Sequence, residues 1–267
     1  MPSVELFRSI RCFLLDLDGT FYLGNQLLPG ARDLIEFFET KGMEYLFLTN
    51  NSSRSPRRYL ERLRGFGIPV QPGHIFTSAD ATLYYLHQHF SGRRLYLVGT
   101  PDLEEQFQQE GFTLTDQNPE VVVVGFDTTL TYNKLWKLCR WVSQGLPYIT
   151  THPDINCPTE DGFMPDIGAV IAFVQASTGR LPDVVIGKPH PPMVEALCHK
   201  LALSPAQLCM VGDRLYTDIA MKDAGVYTVL VLSGETKPED LISSPFQPDF
   251  VFSNLADLLN SLQKVIV

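Results

Sequence analysis

The chain has 267 residues, of which 45% are hydrophobic and 19% charged, and its formal charge is −9. This length predicts one or two domains with a sizeable core, and the composition excludes a disordered or collagen-like chain. The negative charge argues against a nucleic-acid partner, because such a surface repels phosphates. We find no apolar run near ~20 residues and no signal-peptide pattern, so we expect a soluble, cytoplasmic protein without a membrane partner. The five cysteines form no C-x-x-C pair, which indicates reduced thiols.

Short β-branched or aromatic runs alternate with amphipathic stretches along the chain, which is typical of a parallel sheet covered by helices on both faces. The strands predicted for this main sheet are residues 12–15, 45–48, 74–76, 184–186, 208–211, 227–232 and 250–252. The helices predicted between them are residues 31–41, 56–65, 80–90, 192–203, 215–224 and 255–265. Gly42 and Gly225 are expected to end helices.

The middle third interrupts this alternation and predicts a second α/β domain. Its strands are expected at 93–98 and 121–124, its helices at 103–110, 133–144 and 168–178, and a Pro/Gly-rich loop at 151–167. We therefore predict an inserted domain at 81–183, between the two parts of one core domain at 1–80 and 184–267.

A first candidate motif lies at the end of the first predicted strand. This hydrophobic strand, which is expected to be buried on both faces, runs into Asp16 and Asp18, and Gly19 follows. In open α/β sheets, ligands bind at the carboxyl ends of the strands. A turn that closes a strand also accounts for a pair of aspartates, so this segment alone leaves both interpretations open.

Three further predicted strands end in polar residues. The strand at 208–211 is followed by two carboxylates, the one at 45–48 by a hydroxyl and two amides, and the one at 184–186 by a lysine: Asp213 and Asp218; Thr49, Asn50 and Asn51; and Lys188. Taken singly, Asp218 could complement a helix N-terminus and the lysine could be a solvated surface charge. Together, four parallel strands are expected to bring these groups to one edge of the main sheet.

This combination of groups suits phosphate chemistry. Clustered carboxylate oxygens are the ligands that Mg²⁺ prefers, often together with substrate phosphate. The side chains of Thr49, Asn50 and Lys188 offer donors to phosphate oxygens. An unperturbed aspartate has a pKa of about 3.9, so Asp16 would be an anionic nucleophile at pH 7.

The motifs resemble those of phosphatases of the haloacid dehalogenase (HAD) superfamily. Its four motifs are matched in order by Asp16-x-Asp18-Gly-Thr, by Thr49, by Lys188, and by Gly212-Asp213 with Asp218. Residues 48–52, 187–189 and 212–219, and the large insertion, resemble the NagD-like or p-nitrophenylphosphatase-like subfamily. The resemblance spans nearly the whole chain. It implies a Rossmann-like parallel sheet flanked by helices as the core, with an inserted α/β cap domain.

The resemblance also implies a role for each matched residue. Asp16 corresponds to the nucleophile that forms an aspartyl-phosphate, and Asp18 to the general acid and base. Thr49, Asn50 and Lys188 correspond to phosphate-binding residues, and Asn51 or Ser52 is a further candidate for that role. The Mg²⁺ ligands are implied to be Asp16, the backbone carbonyl of Asp18, and Asp213, with Asp218 in contact with the ion or just outside its ligand set.

Substrate choice in this family lies in a cap loop, which residues 151–162 match here. Pyridoxal phosphatase-like relatives carry a histidine where this chain has Cys157, which argues against pyridoxal phosphate as the substrate. His152 in this loop is expected at the surface, with a ligand role as the alternative. The acidic residues of the same region are expected to form a solvated rim: Asp154, Glu160, Asp161 and Asp166.

The sequence therefore predicts a Mg²⁺-dependent phosphatase that acts on small phosphate monoesters, with p-nitrophenyl phosphate as a generic substrate. Asp18 favours oxygen leaving groups, because a halide would need no proton. Two alternatives stay open: a phosphotransferase to an alcohol acceptor, and a receiver-like phospho-aspartate signalling module. The expected partner is a small-molecule phosphate ester, and a homodimer through the cap is consistent with the resemblance.

Overall fold

The computed structural model describes residues 3–159 and 162–266, which fold into two compact units. The described residues of Met1–Thr49, Leu60–Phe76 and Leu197–Val267 form the first unit; Asn50–Tyr59 and Thr77–Ala196 form the second. The predicted domain limits, 1–80, 81–183 and 184–267, remain a prediction.

Within the described residues the strands are β1 Cys12–Leu15, β2 Tyr22–Leu23, β3 Gln26–Leu27, β4 Glu44–Thr49, β5 Ile75–Thr77, β6 Arg94–Val98, β7 Thr113–Leu114, β8 Val121–Val124, β9 Tyr148–Thr150, β10 Asn156–Thr159, β11 Gly162–Pro165, β12 Val184–Val185, β13 Leu208–Gly212, β14 Tyr227–Val231 and β15 Phe250–Phe252. The α-helices of the same residues are α1 Ala31–Lys41, α2 Pro56–Gly65, α3 Ser78–His89, α4 Pro101–Gln109, α5 Tyr132–Ser143, α6 Ile167–Thr178, α7 Pro191–Leu201, α8 Asp240–Ser243 and α9 Leu255–Val265.

The first unit is built on a sheet whose strands, among the described residues, have the order β15-β14-β13-β1-β4-β5. Strand β1 lies between two parallel neighbours, because Leu15 pairs with Val211 of β13 and with Phe47 of β4. Every residue of β1 is buried, as expected for an apolar strand covered on both faces. This sheet confirms the predicted parallel α/β core.

The second unit has its own parallel sheet, with the described strands in the order β12-β9-β8-β6-β7. Its central strand β8 is the run Val121–Val124, and all four valines are buried. Helices α5 and α6 supply Leu138, Trp141 and Val174 to the hydrophobic core on this sheet. The second α/β sheet agrees with the α/β insertion predicted for this part of the chain.

Three of the predicted elements differ in the structure, and strands β2, β3, β7 and β9 and helix α8 were not predicted. The strand expected at 184–186 in the main sheet is β12, which pairs with β9 in the second unit. The loop expected at 151–167 contains the antiparallel hairpin β10–β11. The helix expected at 215–224 is a series of turns followed by a 3₁₀ helix, Ile219–Ala224. Among the described residues, no helix combines the length and apolar character needed to cross a membrane.

Candidate active site

Three aspartates of the first unit form a compact carboxylate cluster. One carboxylate oxygen from each of Asp16, Asp213 and Asp218 lies within 4.8 Å of the others. The side chains are sheltered from solvent, with exposed fractions of 9%, 1% and 0%. The structure thus brings together three of the aspartates that the sequence singled out.

The sheet places Asp16 and Asp213 beside each other. Strands β1 and β13 are parallel neighbours, and each aspartate is the first residue after its strand. The backbone N–H of Asp16 donates to the carbonyl of Val211 at 2.9 Å, which extends the ladder by one residue. Both carboxylates therefore emerge at the carboxyl edge of the sheet, where open α/β sheets bind their ligands.

The Asp213 carboxylate is held by donors from two other segments. Its Oδ1 accepts from the Thr20 hydroxyl at 3.0 Å, and its Oδ2 accepts from the backbone N–H of Glu235 at 2.7 Å. Gly19 has φ of 92°, and a Cβ at that position would stand 2.5 Å from Asp213 Oδ2. The glycine after Asp18 is therefore required both by the backbone conformation and by the approach of Asp213.

Asp218 is fixed by its own turn. Its Oδ2 accepts from the backbone N–H of Arg214 at 3.1 Å, and a Cβ on Gly212 would collide with the Asp218 carboxylate. The carbonyl of Arg214 accepts from the backbone N–H groups of both Asp218 and Ile219, so the segment forms turns where a helix was predicted.

The cluster has the electrostatics of a cation site. Burial and the nearby Asp218 carboxylate raise the pKa of Asp213 to about 6, because both disfavour its ionised form. Three carboxylates in this arrangement provide the oxygen ligands that a hard divalent ion such as Mg²⁺ takes. The residues present therefore fit a divalent cation, with Asp16, Asp213 and Asp218 as the available ligands.

Two other predicted residues also lie in the first unit. Thr49 is the last residue of β4, the other parallel neighbour of β1, and is buried. Asp18 is half-buried and forms an isolated bridge with Tyr22, where the backbone turns toward β2. Asp18, although described, is not part of the three-carboxylate group. The family resemblance implies that Asp18 binds the metal through its backbone carbonyl oxygen. The three-carboxylate group consists of side-chain oxygens and therefore does not bear on this contact.

The remaining predicted residues lie in the second unit, where Asn50 and Lys188 are joined. Asn50 Oδ1 accepts from the backbone N–H of Lys188 at 2.8 Å, and Asn50 Nδ2 donates to the Lys188 carbonyl at 3.1 Å. The same Nδ2 donates to Asp154 Oδ1 at 2.9 Å. The lysine follows β12, so the expectation that it extends from the main sheet was wrong. Both amide hydrogens of Asn50 have protein acceptors.

Asn51 and Ser52 also have partners within the second unit. Asn51 Oδ1 accepts from the backbone N–H and the hydroxyl of Ser53, at 2.9 and 2.7 Å. The Ser52 hydroxyl accepts from the backbone N–H of Phe126 and lies 2.9 Å from the Thr151 hydroxyl. These contacts organise the loop that follows β4.

Sequence reasoning missed the burial of two acidic residues and a histidine in the second unit. His152 was expected at the surface, but none of its side chain is exposed. Asp154 and Asp166 were expected on a solvated rim, and both are buried. The other two rim residues, Glu160 and Asp161, lie outside the described residues. One signal was available for Asp166, since it directly precedes a strongly apolar helical segment as an N-cap residue does.

Comparison with known protein families supports the resemblance seen in the motifs. Residues 13–113 match the family described as haloacid dehalogenase-like hydrolase, and residues 185–258 match a HAD-hydrolase-like family. An acid sugar phosphatase of Staphylococcus aureus (strain MRSA252) is 34% identical, over 96% of this chain and 100% of its own.

Solved structures agree. The 4-nitrophenylphosphatase from Thermotoga maritima is 44% identical, with a TM-score of 0.92 and coverage of 96% of this chain and 98% of its own. The p-nitrophenyl phosphatase from Archaeoglobus fulgidus is 31% identical, with a TM-score of 0.89 and coverage of 95% and 99%. NagD from E. coli K-12 is 33% identical, with a TM-score of 0.85 and coverage of 93% and 98%. Identity at this level over nearly the full length of each relative means that the chain belongs to the NagD-like phosphatases of the haloacid dehalogenase superfamily.

Proposed function

We propose that this phosphatase hydrolyses small phosphate monoesters with Mg²⁺, through an aspartyl-phosphate on Asp16. The observation that carries the proposal is the carboxylate cluster, in which oxygens of Asp16, Asp213 and Asp218 lie within 4.8 Å of one another. Because Asp16 would be both the nucleophile and a ligand of the cation, the phosphate that it attacks would lie close to the cation. When bound, Mg²⁺ would offset the negative charge that phosphate and carboxylates bring together.

The proposed reaction has two steps. In the first, an Asp16 carboxylate oxygen attacks phosphorus, the bond from phosphorus to the ester oxygen breaks, and the carboxyl of Asp18 gives its proton to the leaving alcohol. In the second, water attacks phosphorus while the Asp18 carboxylate takes the water proton. The bond from phosphorus to Asp16 then breaks and orthophosphate leaves. Asp18 is half-buried, which leaves it access to solvent for this exchange.

For phosphate binding we assign Thr49, Asn51 and Lys188, with Asn50 acting through Lys188. The motif order in the sequence supports these assignments. The contacts of Asn50 refine them, because its amide hydrogens bond to Asp154 and to the Lys188 carbonyl. Lys188 is only 2% exposed, and a buried lysine whose backbone is held on both sides is suited to a fixed anion site.

Sugar phosphates and p-nitrophenyl phosphate are the substrates that the names of the relatives support. Relatives with 31% to 44% identity are called nitrophenylphosphatases, and another with 34% identity is called an acid sugar phosphatase. These names also favour hydrolysis over transfer to an alcohol. The cytoplasmic location and the homodimer stay predictions.

Phosphate release from a panel of esters tests this function. The panel contains p-nitrophenyl phosphate, sugar phosphates, glycolytic acids, nucleotides and pyridoxal phosphate, each assayed with Mg²⁺ and with excess chelator. We expect Mg²⁺-dependent release, and acid-quenched enzyme should carry phosphate on Asp16 as found by peptide mass spectrometry. Equal activity with chelator contradicts the metal assignment, and phosphate on another residue contradicts the nucleophile. Adding an alcohol shows whether the phosphoryl group passes to acceptors other than water.

A further inference from the structure

A buried histidine in the second unit connects two segments of the candidate site. His152 follows β9, and none of its side chain is exposed. Its Nδ1 lies 3.0 Å from the carbonyl oxygen of Asn50, and its Nε2 lies 3.1 Å from Asp166 Oδ1. Each ring nitrogen therefore has a protein partner at hydrogen-bonding distance.

These partners determine how many protons the ring carries. A backbone carbonyl only accepts hydrogen bonds, so Nδ1 must carry a proton to bond to Asn50. Asp166 Oδ1 accepts from the backbone N–H of Ile167 at 2.6 Å and lies at the N-terminus of α6, where the helix favours an ionised carboxylate. An ionised carboxylate also only accepts, so Nε2 must carry a proton too. The helix N-terminus and these contacts therefore favour an imidazolium paired with the Asp166 carboxylate.

The position of Asn50, which His152 fixes through the backbone carbonyl, determines the position of the Lys188 backbone. The Asn50 carbonyl also accepts from the Ser78 hydroxyl at 2.5 Å. From the same residue, Oδ1 and Nδ2 bond to the backbone N–H and carbonyl of Lys188. A Cβ on Gly187 would stand 2.6 Å from the His152 Cβ and 2.7 Å from Asn50 Oδ1, so these residues are in close contact. A displacement of Asn50 must therefore move Lys188.

We propose that His152 is a positioning residue, which, as a buried imidazolium paired with Asp166, holds Asn50 and through it the backbone of Lys188. The inference rests on the proposed function for the part that Lys188 plays in phosphate binding. His152 itself takes no proton from the substrate. Both ring nitrogens face acceptors, so a ring without one of its protons would place one acceptor against another inside the protein.

The first test measures the protonation of His152 in the full-length wild-type chain. ¹⁵N-histidine NMR at pH 8 should show two protonated ring nitrogens for His152, whereas a histidine free in water, with a pKa of about 6.5, is neutral at that pH. The spectrum of His152→Gln identifies the signal among the six histidines. In Asp166→Asn the amide can donate to Nε2, so the ring should become neutral with its proton on Nδ1. A neutral His152 in the wild type overturns the ion pair.

The second test is a double-mutant cycle on kcat/KM for p-nitrophenyl phosphate with Mg²⁺. If His152 acts through Asn50, His152→Ala should lower kcat/KM by about tenfold or more in the native background and by about threefold or less in Asn50→Ala. His152→Gln serves if the alanine variant fails to fold. The matched control is Asp127→Asn, which removes a 2.6 Å ion pair with Lys134 in the same unit. Its effect should be equal in both backgrounds.

The outcomes separate the two proposals. Equal losses from the His152 change in both backgrounds, in an active wild type, overturn the positioning role while the proposed function stands. A wild type that releases no phosphate from any ester contradicts the proposed function and the catalytic part of this inference. The NMR result decides the charge of the pair in either case, because it does not depend on activity.

Discussion

Thr20 donates its hydroxyl hydrogen to Asp213 Oδ1 at 3.0 Å, although the two residues are 193 positions apart in the sequence. The threonine closes the first motif, Asp16-x-Asp18-Gly-Thr, and the aspartate belongs to the last motif, which begins with Gly212. Both side chains are buried. The carboxylate is thus oriented by the protein before any cation binds, and such support from outside the ligand set commonly tunes metal sites.

Replacing Thr20 by valine should remove the hydrogen bond to Asp213 Oδ1, while the side chain keeps nearly the same volume. A hydrogen bond to a charged group contributes about 1.5–3 kcal/mol, so we expect a stability loss of that order and a higher Mg²⁺ requirement. Urea unfolding and the Mg²⁺ dependence of phosphate release measure the two effects. Thr40→Val, at an exposed position of α1, is the control and should change neither. An unchanged Mg²⁺ requirement in Thr20→Val would mean that the hydroxyl does not orient the ligand.

Asp16→Asn should abolish turnover while the fold persists. The amide keeps the shape of the side chain but lacks the anionic oxygen that attacks phosphorus, so we expect kcat to fall by several powers of ten. Asp33→Asn, at an exposed position in the first turn of α1, is the matched control and should keep full activity. Melting temperatures and circular dichroism check folding. Retention of more than about a tenth of the wild-type rate would contradict the nucleophile assignment.

Asp213→Asn should separate the effect of the cation on stability from its effect on activity. Without metal, the ionised form of Asp213 is disfavoured by burial and by Asp218, so the variant should be at least as stable as the wild type. With Mg²⁺, the wild type should gain melting temperature as ligand binding to the folded state requires, and the variant should gain much less. Asp223→Asn, an exposed change in the same unit, should respond to Mg²⁺ as the wild type does.

Much of the fold could be predicted from the sequence, because the local sequence patterns agree with the tertiary structure there. The limits of β1, α1 and α9 match the prediction, since the apolar run of β1 stops at Asp16, Gly42 ends α1 and Asn254 precedes the first turn of α9. Gly42 ends α1 in the left-handed conformation, with φ of 63°. The acidic residues after β1 and β13 were predicted to meet, and the parallel pairing of the two strands brings them together.

Other features depend on partners that lie far away in the sequence. Pro153 and Gly162 made the segment after β9 read as a loop, but β10 and β11 pair there as a hairpin. No local pattern shows that His152 bonds to Asn50, 102 positions earlier. Polar residues in a loop are usually solvated, and only the tertiary structure shows that Asp166 is buried against that histidine.

Gly187→Ala should disturb Lys188 through its neighbours. The added Cβ would stand 2.6 Å from the Cβ of His152, and this contact involves groups with little freedom to move. Overpacking of this kind costs about 1–3 kcal/mol, so we expect that loss in urea unfolding together with a lower kcat. Gly65→Ala is the control, because a Cβ there has no atom within 4 Å, and it should be neutral or slightly stabilising. Wild-type stability in Gly187→Ala would show that the loop adapts.

Changes in the β10–β11 hairpin should alter substrate preference more than chemistry. The family resemblance implies that substrate choice lies in the loop at 151–162, which overlaps this hairpin, and none of the three clustered carboxylates belongs to the hairpin. Asn156 and Phe163 are exposed residues of the hairpin, and Phe163 is 80% exposed, so we expect their replacement by alanine to leave the fold of the second unit intact. Asp161, in the same loop, lies outside the described residues. We expect both variants to reorder kcat/KM among sugar phosphates, glycolytic acids and nucleotides by about tenfold, since one lost contact is worth 1–3 kcal/mol. Their effect on p-nitrophenyl phosphate should be small, because this ester offers few groups to contact.

Tyr132→Ala, at an exposed position of α5, is the control. A uniform loss for every ester would mean that the hairpin serves closure or folding.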